Sequence, residues 1–145
     1  MAILDYEYDP KALQPETKRG VDFMYEAADR KAAHDAWVDC FTKNGKLHKG
    51  EMSPVGPEEL KKYIVDSWNN TVSRVHDVKK VDVIQSSPLV LKIEGVTTYQ
   101  RSNGQEQQGS WTAKQTYAEE NGIQRVCDYK INFVSIHKTL QKKSI

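Results

Sequence analysis

The chain has 145 residues, with 21 Lys plus Arg against 20 Asp plus Glu and a formal charge of +1, a length that predicts one domain. Hydrophobic residues make up 38 %, a share that buries one core with little surplus. Both charge signs are interspersed, which excludes nucleic acid as the main partner because phosphate binding draws on a concentrated excess of Lys and Arg. No run approaches the ~18–20 apolar residues of a membrane span, and the start lacks the layout of a signal peptide, so the expectation is a cytoplasmic protein without a membrane partner.

Residues 1–15 carry Asp5, Asp9, Pro10 and Pro15 with few apolar neighbours and read as a loose arm. A helix is expected from Glu16 to about Asp29, where Val21, Met24, Tyr25 and Ala28 recur at three- and four-residue steps. A second short helix is expected from about Ala32, with Trp37 and Phe41 four apart, ended by Lys43-Asn44-Gly45. Lys46 to Lys49 looks like a short strand, and Pro57 suits the first position of a third helix. That helix is expected to reach Val72 along the stripe Leu60, Ile64, Trp68, Val72.

After residue 74 the apolar period switches from 3.6 to 2, giving a meander of four antiparallel strands. They are expected over Val75–Gln85, Leu89–Arg101, Gln107–Glu119 and Ile123 to about Val134, and Asn121-Gly122 is the strongest hairpin signal. The folded part spans 16–135, and 136–145, with His137, Lys138, Lys142 and Lys143, reads as a solvated basic tail. Strand parity places Leu91, Ile93, Thr97 and Tyr99, then Trp111, Ala113, Gln115 and Tyr117, then Cys127, Tyr129, Ile131 and Phe133 on the inner face. The fold class is α+β, with the helices packed on one face of the sheet.

Few motifs carry chemistry. Cys40 and Cys127 lie far apart in a chain without a secretory signal and read as free thiols. His34, His48, His76 and His137 lack the spacing of a metal site, and there is no Walker loop, dinucleotide fingerprint or nucleophile elbow, so neither metal nor cofactor is expected.

The order of elements, together with Phe23-Met24-Tyr25-Glu26-Ala27-Ala28-Asp29, Trp37-Val38-Asp39-Cys40-Phe41, Gly56-Pro57-Glu58-Glu59-Leu60 and Arg74-Val75-His76-Asp77-Val78, resembles the nuclear-transport-factor-2-like superfamily, closest to small stand-alone SnoaL-like proteins of fungi. The resemblance implies a cone-shaped antiparallel sheet wrapped around the N-terminal helices, a pocket between helices and sheet, and a homodimer. It includes ketosteroid isomerases, polyketide cyclases, scytalone dehydratases and non-catalytic transport factors, so the fold does not name the reaction. His76 and Tyr99 fall where scytalone dehydratase-like members place catalytic histidines. The acidic partner implied just after the first helix is replaced by Lys31-Ala32-Ala33, and Lys49 stands where the first strand of relatives carries a carboxylate or a tyrosine.

His76 is the sharpest candidate because imidazole gives and takes protons near neutral pH; the alternative is a hydrogen-bonded structural histidine. Lys49 shares a strand face with Leu47 and so points inward, where burial lowers its pKa and lets it stabilise an oxyanion, unless it snorkels to the rim. Tyr99 offers a hydroxyl to a substrate oxygen, or is an amphipathic core residue. Tyr25, Trp68, Trp111, Gln115 and Tyr117 are the candidate substrate-binding walls. Two functions follow: an isomerase, cyclase or dehydratase acting by proton transfer on a small, largely apolar metabolite of polyketide or terpenoid type from secondary metabolism, or a non-catalytic dimeric binding module. The converging polar groups favour the enzyme, and the missing acidic partner favours the module.

Overall fold

The computed structural model describes residues 3–139, with side chains to residue 134. Helix α1 (Pro15–Ala28) begins with proline, whose fixed φ suits a first helical position, and buries Val21, Met24, Tyr25 and Ala28 as the spacing predicts. A 3-10 turn at Lys31–Ala33 leads into α2 (His34–Val38), and β1 covers Phe41–Lys49. Helix α3 (Gly56–Asp66) precedes β2 (Thr71–Ser86), β3 (Leu89–Arg101), β4 (Glu106–Glu120) and β5 (Ile123–Thr139). The last four form the expected antiparallel meander. Asn121 and Gly122 both have positive φ, 54° and 80°, the geometry a two-residue hairpin turn requires.

The five strands form one open sheet in the order β1-β5-β4-β3-β2. It is mixed rather than wholly antiparallel, because β1 pairs parallel with β5, setting Leu47 opposite Tyr129. Its inner face carries Leu47, Leu91, Ile93, Trp111, Ala113 and Tyr129 into one core with Tyr25 of α1 and Leu60 and Ile64 of α3.

Several expectations change. Residues 3–14 are not a loose arm: Tyr6 and Leu13 are buried, and Glu7 pairs with β2 through Glu7 N–H to Lys79 O and Val81 N–H to Glu7 O, both 3.0 Å. The segment is anchored by Asp22, a buried carboxylate that accepts from Tyr6 hydroxyl (2.7 Å), Lys18 Nζ (2.8 Å) and Leu4 N–H (3.3 Å), as burial of a charge demands. Phe41 opens β1 instead of closing α2, yet keeps its edge contact with Trp37 at 4.9 Å between centroids. Helix α3 stops at Asp66, and Asn70 then turns the chain with a φ of 59°; Val72 therefore lies on β2, 62 % exposed. A bulge at β4–β5, where Thr116 pairs with Asp128 and Tyr117 with Val126, skips Cys127 and buries Val126 in its place. Residues 136–139 belong to β5, and 140–145 of the expected tail lie outside the described residues. Both cysteines are free thiols. No helix among the described residues is long and apolar enough to cross a membrane.

Candidate active site

Alternation along β2 turns Arg74, His76 and Val78 toward the helices. Helix α1 ends just opposite, and its C-cap residue Asp29 meets them. One Asp29 oxygen accepts from the His76 backbone N–H at 2.7 Å, and the other lies 2.5 Å from His76 Nδ1. This two-point clamp assigns the ring proton to Nδ1 as donor to the carboxylate. The opposite nitrogen, Nε2, has no hydrogen-bond partner among the described residues, and the ring lines a cavity.

Around the imidazole the packing is aromatic. Tyr25 sits 5.5 Å away between centroids, and Trp111 approaches edge-on at 6.0 Å while stacking on Tyr25 at 5.5 Å and 19°. Trp111 is held by donating its Nε1–H to Thr97 Oγ1 at 2.8 Å. It lies across Gly95, where a Cβ would stand 2.5 Å from Trp111 Cζ2 and 2.8 Å from Asp77 O, so the bare backbone of β3 is what admits the indole. Tyr25 is fixed at its tip by Tyr129, 2.7 Å between hydroxyls.

Burial lowers the His76 pKa, opposed by its bond to and charge attraction from Asp29. The ring is thus biased toward neutral imidazole with a bare Nε2, which is the state a general base needs. Burial, with the neighbouring Arg74 and Arg101 charges, also lowers Lys49 to about 8. The Tyr99 hydroxyl is raised by burial, so it stays a donor. Arg74, lowered by burial, stacks on Trp68 at 4.3 Å, donates to Ser67 Oγ at 2.8 Å, and donates to Ala28 O from Nε and Nη2. It thereby fastens β2 to the end of α1, and its Nε stands 4.0 Å from Asp29.

The space has two parts. An inner chamber of about 50 Å³ is lined by His76, Tyr25, Trp111, Thr97 and Tyr129, and it shares Lys49, Tyr63, Ser67, Arg74 and Tyr99 with an outer vestibule of about 560 Å³. The inner part has room for a few waters or the reacting tip of a molecule, whereas the vestibule is of the size that takes a small metabolite. Among the described residues no group of three His, Cys, Asp or Glu could hold a metal ion.

His76, Tyr99, Lys49, Trp111 and Tyr25 therefore converge. Trp68, Gln115 and Tyr117 line neither chamber. Trp68 lies behind Arg74, because α3 ends before it. Gln115 is fully buried, donating to Met24 Sδ at 3.3 Å and accepting from the Tyr117 hydroxyl at 2.5 Å. Tyr117 itself borders a separate groove with Phe23 and Cys40. An acid does face His76: Asp29, two residues before Lys31. Its four-residue offset from Tyr25 is the sequence signal that sets both on one side of α1. Arg74 carries a signal of its own, a charge that shares the inward parity of His76 on β2.

No family model matches the chain, and no curated protein matches it. Solved structures do. A Novosphingobium aromaticivorans protein provisionally named an aromatic ring hydroxylase superposes with a TM-score of 0.80 at 13 % identity, covering 90 % of this chain and 96 % of its own. A second protein of that organism, provisionally named a scytalone dehydratase, gives 0.74 at 8 %, covering 88 % and 87 %. A type 2 hexachlorocyclohexane dehydrochlorinase gives 0.72 at 8 %, covering 89 % and 93 %.

Proposed function

We propose that this chain, which has the α+β cone fold of the nuclear-transport-factor-2-like superfamily, is a cofactor-independent isomerase or lyase that removes a proton from carbon in a small metabolite. The observation that carries the reading is the Asp29–His76 pair, with Nε2 bare at the cavity wall. Asp29 fixes the tautomer and stabilises the imidazolium that forms, as a carboxylate does for a histidine base. His76 Nε2 accepts the proton, and the bonding pair moves toward an adjacent carbonyl or expels a leaving group. Tyr99 offers a donor to the oxygen or leaving group where charge develops, and Lys49 stands on the wall shared by chamber and vestibule, where it attracts negative charge. Trp111 and Tyr25 wall the inner chamber against bulk water.

Two structural neighbours bear names that denote elimination, of water and of hydrogen chloride, which is the same first step with different leaving groups. Asp29 beside His76 also weighs against the non-catalytic module, whose support was the absence of an acid after the first helix. The test is deuterium uptake from D₂O into cyclic ketones and β-hydroxy ketones, followed by NMR. Enzyme-dependent exchange that disappears in His76→Gln supports the reading; exchange surviving in that variant refutes it.

A further inference from the structure

The inner chamber is too small for a whole ring, so the body of any substrate stays in the vestibule. That vestibule presents Lys49, Lys62, Arg74 and Arg101 against Glu59 and Asp66, with Asp29 behind Arg74. Four positive groups against three negative leave +1 facing the space (4 − 3). The carboxylates are already engaged: Asp66 pairs with Lys62 at 2.6 Å, Glu59 accepts from Val55 N–H at 2.9 Å, and Asp29 holds His76.

The excess is concentrated on two side chains. Lys49 Nζ lies over the Phe133 ring at 4.7 Å and has neither a carboxylate nor a hydrogen-bond partner among the described residues. Among the described residues Arg101 bonds only neutral acceptors, Gln107 Oε1 at 2.8 Å and Thr71 Oγ1 at 2.5 Å, while stacking on Tyr99 at 4.4 Å. These bonds fix the guanidinium at the mouth without neutralising it. Cations held together in a half-buried cleft without a counter-ion destabilise one another and favour an incoming anion. Burial first, and then the neighbouring Arg74 and Arg101 charges, hold the Lys49 ammonium below its ordinary range.

We propose that the substrate is a carboxylate whose anionic group is held in the vestibule by Lys49 and Arg101, while its uncharged reacting carbon enters the inner chamber at His76. The proposal rests on His76 being the base. A single net positive charge matches a monoanion better than a phosphate dianion, and it replaces the largely apolar metabolite expected from sequence with an amphipathic one.

Benzoate and benzamide share a ring and differ in charge, so their binding to the purified protein at neutral pH, by calorimetry or NMR shift, isolates the anion. Benzoate is expected to bind at least ~10-fold more tightly, with the preference shrinking as salt is raised. Lys49→Met and Arg101→Gln should each collapse the preference, and Lys49→Arg should keep it, with thermal melting to check folding. Equal affinities, binding of neither probe, or a preference untouched in both charge-removing variants overturns the proposal. Exchange lost in His76→Gln alongside no benzoate preference in the wild type would overturn this inference alone and leave the base assignment standing.

Discussion

Asp29→Asn separates the clamp on His76 from the shape of the site. The native carboxylate accepts two bonds from one residue, at 2.5 Å from the ring and 2.7 Å from the backbone. An amide keeps one acceptor and turns a donor toward the other N–H, so one charge-assisted bond is lost, worth about 1.5–3 kcal/mol. With a urea m-value of about 1–3 kcal/mol/M, the unfolding midpoint should fall by roughly 1 M at unchanged slope. Proton transfer should suffer more. Without the carboxylate the Nδ1–H tautomer loses its anchor and the imidazolium its counter-charge, so exchange should fall by about 10²–10⁴, the usual worth of a positioned base. Urea unfolding and the D₂O exchange assay read the two effects separately. A variant with wild-type midpoint and wild-type exchange would refute the clamp.

Gly95→Ala should drive a methyl into Trp111 and the Asp77 carbonyl, costing about 1–3 kcal/mol by overpacking, read as a lower melting temperature with altered tryptophan fluorescence. Tyr99→Phe should cut exchange while shifting stability by no more than ~1–2 kcal/mol, the range of ordinary substitutions; unchanged exchange would remove its hydroxyl from the chemistry. Lys49 binds its proton less tightly folded, at about 8, than at its ordinary 10.5. Between these values the unfolded chain carries more protons, so stability relative to Lys49→Met should rise with pH through that window, and a flat difference would place the amine in solvent. Val72→Lys should change stability by less than about 0.5 kcal/mol because the side chain faces solvent on β2; a large loss would restore it to a core helix.

Much of the fold was legible because its signals are local. The Asn121-Gly122 turn and the period-2 alternation from Leu89 to Tyr117 locate β3 and β4 and their inward faces, since a strand in register exposes its parity directly. Features that depend on a partner were not legible. The parallel pairing of β1 with β5 joins distant segments, and the bulge at Cys127 exists only relative to β4. Phe41 and Val72 kept helical spacing by coincidence, and the turn chemistry that cuts α2 and α3 short outweighed it. At the site, His76, Tyr99, Lys49, Trp111 and Tyr25 followed from residue type and parity. Asp29 did not, because its role is fixed by where α1 ends against β2. Gln115 and Tyr117 obeyed the inward parity but point at Met24 and at each other, a distinction that parity alone does not make.

The most direct measurement is the tautomer and pKa of His76 by ring ¹⁵N NMR in the wild-type protein. The account predicts a neutral imidazole at pH 7, protonated on Nδ1 toward Asp29 and bare on Nε2, titrating below its ordinary 6.5. An imidazolium at pH 7, or a ring protonated on Nε2 instead, would leave no base facing the chamber and contradict it.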